Sequence, residues 1–375
     1  MTAAPLALIA EITHRCPLHC VYCSNPLQLA AAKSELQTDE WCRVFSEAAR
    51  LGMLHLHLTG GEPAARADLE ELVSAARSEG LYTNLITSGL GVSRERLKRL
   101  VAAGLDHVQI SFQDSEAERG EWIAGAKSHA HKVELASWVR ELRSAFTANL
   151  VVHRQNLDHL EQMIRFLEGL QPDRIEIAHT QYYGWALKNR EKLMPTATQV
   201  ENALRLVNEA QARTKGRIRI DSVLPDHYAR FPKACMGGWG QKMILINPSG
   251  KALPCHAAEV IPGLVFDNVR EKSLSWIWSQ SGAFQKFRGE KWMQTPCHSC
   301  ERRTEDFGGC RCQAFLLTGD PKATDPVCTL SPKHEMVVKE ISRVPAESFA
   351  PQTSEPIWVY RSNPDRFVST LQIRR

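Results

Sequence analysis

The sequence predicts an α/β protein: a parallel sheet of six βα units, then a small cysteine-rich domain and a tail. Three observations carry this. Short β-rich runs alternate with longer amphipathic stretches through the first half, the cysteines fall into two separated groups, and from residue 217 the chain turns Gly-, Pro- and Cys-rich.

The strand candidates are 6–12, 54–59, 82–87, 107–112, 148–153 and 174–178. Between them the helical period marks 39–51, 68–79, 94–103, 129–144 and 157–169. Thr38, Ser93 and Asn156 stand where N-caps belong, and Gly52, Gly80 and Gly104 where helices stop. Strands spaced by helices imply right-handed crossovers and a parallel sheet. Six units fit an open or partial barrel better than a closed eight-fold one. A doubly wound sheet gives the same alternation, so periodicity alone does not separate the two. Beyond residue 180, the run 181–187 is aromatic, 196–215 reads as helix, and 243–247 as a short strand. Residues 1–215 are therefore expected to form the barrel and 216–332 a loop-rich domain that orders around metals. Residues 333–375 mix Pro, Ser and charge without periodicity, and are expected to be a peripheral, partly disordered tail. No internal repeat is visible.

With 375 residues, 43% hydrophobic, the chain can bury a full-sized core plus a smaller one. A net charge of +4 without a basic stripe argues against a nucleic-acid surface. The longest early apolar run, 5–10, is too short for a membrane span and is stopped by Glu11. A cytoplasmic protein, not bound to membrane, is the expectation. Disulfides are disfavoured in that compartment, so eleven cysteines in two groups read as metal sites, with zinc and iron–sulfur both open.

Cys16, Cys20 and Cys23 stand at C-x3-C-x2-C directly after the first strand, where parallel-sheet enzymes place their chemistry. Three thiolates on one tight loop can ligate three irons of a cubane and leave the fourth open. A closed zinc site wants four ligands, and His14 or His19 is available to supply one. The spacing, with aromatic Tyr22 before the last cysteine, resembles the signature of the radical S-adenosylmethionine (SAM) superfamily. Gly60-Gly61-Glu62-Pro63 after the second strand resembles that family's SAM-binding turn. The likeness implies a partial (β/α)6 barrel, a [4Fe–4S] cluster on the three cysteines, and Glu62 meeting the methionyl ammonium, with glycines allowing close approach. It also implies SAM contacts from Ser88, in Thr87-Ser88-Gly89, and from Ser111; taken alone, such residues are more often turns or caps.

Seven cysteines remain: Cys235, Cys255, Cys297, Cys300, Cys310, Cys312 and Cys328. Two fully ligated [4Fe–4S] clusters take eight ligands, which leaves one position short. The pattern resembles the SPASM domain of peptide-modifying radical SAM enzymes, in which a third cysteine follows the C-x2-C pair by about six residues. Here that position is Asp306, an oxygen ligand on this reading and a solvated loop carboxylate on the plainer one. With 181–186 (QYYGWA), 235–239 (CMGGW) and 254–259 (PCHAAE), the chain resembles the PqqA peptide cyclases of pyrroloquinoline quinone biosynthesis over residues 5–332. That resemblance implies one auxiliary cluster on Cys235, Cys255, Cys310 and Cys312, and an outer one on Cys297, Cys300, Asp306 and Cys328. Four ligands suit [2Fe–2S] as well as [4Fe–4S]. Cys42 is left over and is expected to pack as a small buried hydrophobe.

The resemblance also implies the reaction. Reductive cleavage of SAM gives a 5′-deoxyadenosyl radical that takes a hydrogen from a glutamate side chain of the peptide PqqA. The carbon radical joins a tyrosine ring of the same peptide, and a further electron and proton leave, with an auxiliary cluster as acceptor. It implies as partners PqqA, the peptide chaperone PqqD, and a low-potential donor such as a flavodoxin. Tyr182, Tyr183 and Trp185 either line the peptide channel or pack the barrel against the second domain. No catalytic base is nominated; His153 and His179 qualify only by standing at strand ends. Another SPASM-type maturase, forming thioethers or oxidising a sulfatase, and a non-catalytic zinc scaffold are the competing readings.

Overall fold

The computed structural model describes residues 3–344 and 358–363. Its strands are β1 (Ala7–Thr13), β2 (His55–Gly60), β3 (Tyr82–Thr87), β4 (His107–Phe112), β5 (Ala145–Val152), β6 (Arg174–His179), β7 (Arg219–Val223), β8 (Met243–Ile246) and β9 (Ala252–Leu253). They form one sheet in the order β7-β6-β5-β4-β3-β2-β1-β8-β9. All neighbours are parallel except β8 and β9. The strictly sequential order from β1 to β7 removes the doubly wound alternative, which needs a point where strand order reverses. With every crossover of one hand, the helices cover a single face and the sheet curls around the other.

Six helices pack within the first half: α1 (Thr38–Arg50), α2 (Leu69–Ser78), α3 (Arg94–Ala102), α4 (Ala117–Ala124), α5 (His129–Glu141) and α6 (Leu160–Gly169). Alternation along the strands separates two faces. Leu56 and Leu58, Val108, Ile110 and Phe112, and Ile175 and Ile177 are buried in one apolar core with the helices. The alternate positions are polar: Asn84 reaches His57 at 3.2 Å, and Gln109 reaches Glu176 at 3.3 Å. A closed eight-stranded barrel fills its interior with branched apolar side chains. Here the lumen is polar, and its upper end is a cavity.

Ser93 caps α3 as expected, accepting from the Arg96 amide. The cap of α1 falls one residue early, on Gln37, in a reciprocal box with Glu40, because the Thr38 hydroxyl donates to Asp68 instead. Asn156 is no side-chain cap: it accepts from the His153 amide and donates to the carbonyls of Gln113 and Val151, tying the ends of β4 and β5 together. The periodicity did not reveal α4, whose eight residues are too few to show a repeat and carry Gly120 in their middle. Cys42 is half-buried rather than buried, because the inner face of α1 is Trp41, Val44, Phe45 and Ala48.

Two expectations about the second half need correcting. The cut at 215/216 does not separate two sheets: β7 pairs with β6, and β8 with β1, so the later chain covers both edges of the barrel sheet. Exposed edges invite pairing, and this chain closes them with its own strands. Nor is all of 333–375 peripheral. Glu335–Ser342 is a helix, and 358–363 packs on the loop after β1, while the other residues beyond 344 lie outside the described residues. Among the described residues no helix is long and apolar enough to cross a membrane.

Burial holds the His57 imidazole down at about 4, with His55 and His107 adding to it. Its folded pKa lies below the unfolded value, so the unfolded chain takes up the proton first, and stability falls as pH drops from about 6.5 toward 4. Between pH 7 and 5.5 this costs about 1 kcal/mol at this residue. The unfolding free energy of wild type minus that of His57→Asn, from urea titrations, should therefore fall by that amount over this interval; a constant difference would show that His57 is not the group responsible.

Candidate functional site

Backbone proximity builds the site. Gly61 donates to the Thr13 carbonyl at 2.6 Å and Glu62 to the Arg15 carbonyl at 2.8 Å, pinning the end of β2 to the start of the cysteine loop. A Cβ on Gly61 would meet the Arg15 oxygen at 2.4 Å, and one on Gly60, at φ +129°, the Thr13 oxygen at 2.2 Å. No side chain fits there. On the other flank, a Cβ on Gly184 would stand 1.9 Å from the Asn25 oxygen, and Ala186 donates to the Cys23 carbonyl at 3.0 Å. From below, His19 donates to the Ala124 carbonyl at 2.8 Å and Val21 to that of Ile123 at 3.4 Å, both at the end of α4.

Cys16, Cys20 and Cys23 then line one cavity of about 430 Å³ with Gly60, Gly61, Ser88 and Ser111. Burial pushes the Cys16 thiol up to about 12 and that of Cys20 to about 11. Such thiols ionise only beside compensating positive charge, which ligand bonds to iron supply. His14 is unavailable as a fourth ligand: its Nδ1 accepts from the Ala30 amide and its Nε2 pairs with Glu11. His19 Nδ1 is engaged with the Arg361 carbonyl at 2.6 Å.

Glu62 is engaged within the protein. Its carboxylate, on a residue 1% exposed, accepts from the Ala64 amide, the Thr87 hydroxyl, and both the amide and hydroxyl of Ser88, at 2.5–3.0 Å. Burial raises its pKa against those four bonds. The carboxylate is thus a staple between the turns after β2 and β3, while Gly60, Gly61 and Ser88 face the cavity. Pro63 is buried beside it and starts a short 3-10 turn.

The structure also supplies polar residues that sequence reasoning missed. Lys132, 1% exposed, donates to Gln113 Oε1, and Gln113 Nε2 donates to the Tyr22 hydroxyl at 2.9 Å. Tyr22 lines the same cavity as Cys20. Burial lowers the Lys132 ammonium to about 8, with the Cys20 and Glu62 charges working the other way. A lone lysine on an amphipathic helix carries no signal of this. Of the two histidines, His179 lines the cavity, whereas His153 is fully buried against Tyr22. Burial holds their imidazoles down, at about 4 and about 3.

The second cysteine group resolves into two sites. Cys235, Cys255, Cys310 and Cys312 converge: the Cys255 and Cys312 sulfurs lie 3.9 Å apart, and Cys235, Cys255 and Cys310 line one cavity. Interaction among these buried thiols holds Cys255 and Cys310 well below the ordinary thiol range and Cys235 and Cys312 well above it. The Tyr183 hydroxyl lies 3.2 Å from Cys310 Sγ. Cys297, Cys300, Asp306 and Cys328 share a separate small cavity. Asp306 is 8% exposed, so it is no solvated loop carboxylate; one oxygen accepts from the Gly308 amide at 2.9 Å. Arg311, between Cys310 and Cys312, is buried and braced by the carbonyls of Pro321 and Ala323. All eleven cysteines are free thiols. Among the described residues no three His, Cys, Asp or Glu side chains close to single-ion spacing. The donor sets fit thiolate-held clusters: three thiols and an open side in the first, four thiols in the second, three thiols and a carboxylate in the third.

Tyr182 and Tyr183 line a cavity of about 280 Å³ that reaches the thiol quartet, and Tyr182 also packs edge-on against His227. Trp185 is buried under Arg361 instead. His179, Thr180, Gln181, Val223 and His256 line both this cavity and that of the first cysteine group.

Comparison with known proteins agrees with this geometry. Residues 10–167 match the family model of the Radical SAM superfamily, and 235–301 that of the SPASM iron–sulfur cluster-binding domain. The PqqA peptide cyclase of Bradyrhizobium diazoefficiens is 56% identical over 90% of both chains. That of Methylocella silvestris is 53% identical over 95% of both. Among solved structures, Streptococcus suis SuiB bound to S-adenosylmethionine is similar at TM-score 0.72 and 19% identity, covering 88% of this chain and 78% of that one. The anSMEcpe structure with bound AdoMet and Kp18Cys peptide is similar at TM-score 0.64 and 15% identity, covering 90% of this chain and 96% of that one. These two likenesses show the fold. The chain belongs to the PqqA peptide cyclase family.

The stapling role of Glu62 has a measurable consequence. Glu62→Gln places an amide N–H₂ against donors, leaving one buried group unpaired, and should cost about 1–3 kcal/mol in a denaturation midpoint series. Full stability with a loss confined to SAM affinity would instead mean that the carboxylate meets the ligand.

Proposed function

We propose, with membership of that family as the premise, that this chain is a radical SAM enzyme joining a glutamate and a tyrosine side chain of PqqA by a carbon–carbon bond. When bound, SAM and the cluster at Cys16, Cys20 and Cys23 supply hydrogen-atom abstraction from an unactivated carbon. The residues of the chain do the rest. The glycine turn at Gly60–Gly61 and Ser88 hold the SAM end of the cavity, and Ser111 lines it deeper in the lumen.

One observation carries the reading of the second half-reaction. His179, Thr180, Gln181, Val223 and His256 are common walls of the SAM-side cavity and of the cavity reaching the thiol quartet. A peptide lying across them would stand between the first cysteine group and Cys235, Cys255, Cys310 and Cys312, which would hold a cluster able to accept an electron. Cys297, Cys300, Asp306 and Cys328 hold the outer cluster. His179, neutral and with Nδ1 lacking a partner among the described residues, faces the same junction. PqqD, as a separate peptide-presenting chaperone, and a flavodoxin-type donor complete the system on this reading. So many free thiols fit the reducing cytoplasm.

Anaerobic incubation of the reduced enzyme with SAM, PqqA and the chaperone should remove two hydrogens from the peptide and leave a Glu–Tyr crosslink detectable by tandem mass spectrometry. SAM turnover over an unchanged peptide would point to a different maturase. Replacing Cys16, Cys20 and Cys23 together by Ala should abolish SAM cleavage while retaining the auxiliary iron. For the outer site, Asp306→Cys should keep the cluster and move its midpoint potential in an electron-paramagnetic-resonance titration; an unmoved potential would make Asp306 a bystander.

A further inference from the structure

The segment 358–363 lies more than 300 residues from the cysteine loop in sequence, yet it is bound to that loop from end to end. Asn363 Nδ2 donates to the Cys16 carbonyl at 2.9 Å. Arg361 donates to the His14 carbonyl, and its own carbonyl is bonded to His19 Nδ1. Val359 exchanges hydrogen bonds with the Asn189 side chain, which also holds the Val21 carbonyl at 2.8 Å. Trp358 stacks edge-on against Trp122 of α4, the helix under the same loop.

Arg361 is the unusual member. It is 2% exposed and lines the cavity with all three cysteines. Its guanidinium lies over Trp185 and donates to Asn363 at 2.9 Å, on the wall of the cavity that Cys23 also lines. Its Nε has no partner, and no carboxylate among the described residues pairs with it. A buried cation without an acid is costly unless an anion is present. Here the neighbouring groups that would become anionic on holding a cluster are the thiols of Cys16, Cys20 and Cys23, which line the same cavity.

We propose that segment 358–363 is a wall of the SAM-cluster site, in which Arg361 is a positioning residue that holds the cysteine loop and places a positive charge beside its thiolates. This rests on the reading that Cys16, Cys20 and Cys23 carry a cluster. Reduction adds negative charge to that cluster, and a nearby buried cation favours the more negative state, so Arg361 raises the midpoint potential.

The test uses the full chain, reconstituted anaerobically with iron and sulfide, as wild type, Arg361→Gln and Arg361→Lys. Potentiometric electron paramagnetic resonance follows the signal that SAM perturbs. Arg361→Gln should lower the reduced-to-oxidised ratio of that cluster at a fixed potential about tenfold, or about 59 mV for a one-electron couple. Arg361→Lys should recover most of the loss, with the auxiliary signals unmoved, an outcome general destabilisation does not produce. An unchanged midpoint in Arg361→Gln overturns the proposal. If Arg361→Gln cannot hold the cluster, recovery of iron in Arg361→Lys supports the proposal and failure overturns it. A wild type with no SAM-perturbed signal would instead sink the underlying reading of the three cysteines.

Discussion

The rest of the site depends on one steric constraint: backbone meeting backbone where β2 ends against the start of the cysteine loop. At Gly60 and Gly61 the chain passes so close to the carbonyls of Thr13, His14 and Arg15 that a Cβ has no place. The same rule operates at Gly184 against Asn25. Between these clamps the loop has little freedom, and three thiols from eight residues are turned toward one cavity. The loop is thereby preorganised for its ligand, and order is supplied by folding rather than by binding.

Around that loop the fold arranges charge as carefully as shape. The polar lumen would be a liability in a packed barrel, but it becomes useful once it opens on a ligand cavity. Lys132 is tied through Gln113 to Tyr22 on the cysteine loop from the helix side, while Arg361 lines the same cavity from the opposite end of the chain. Arg311 stands between the two thiol sites of the later region. In a low-dielectric interior each cation is held by carbonyls and side-chain oxygens rather than by a carboxylate at close range, which leaves its field directed at the sulfurs.

The later cysteine-rich region does not stand apart as a self-contained unit. Through β7 and β8 it completes both edges of the sheet, so the cavity at the quartet and the cavity at the first cysteines have walls in common. This continuity follows from strand pairing along both edges of the sheet.

The sequence by itself determined much of this protein. Alternating strand and helix periods located β1 to β6 to within a few residues, since burial on one face leaves a repeat that any reading can find. The spacing of Cys16, Cys20 and Cys23 set one group apart, because ligand geometry constrains residues that lie close in the chain, while the division of the later cysteines with Asp306 into two groups came from the family resemblance. Only the tertiary structure decided that the Glu62 carboxylate staples two turns, that α4 supports the cysteine loop, and that Lys132 and Arg361 face the thiols. Those roles depend on which distant segments meet, and a single charged side chain leaves no periodic trace of its partner.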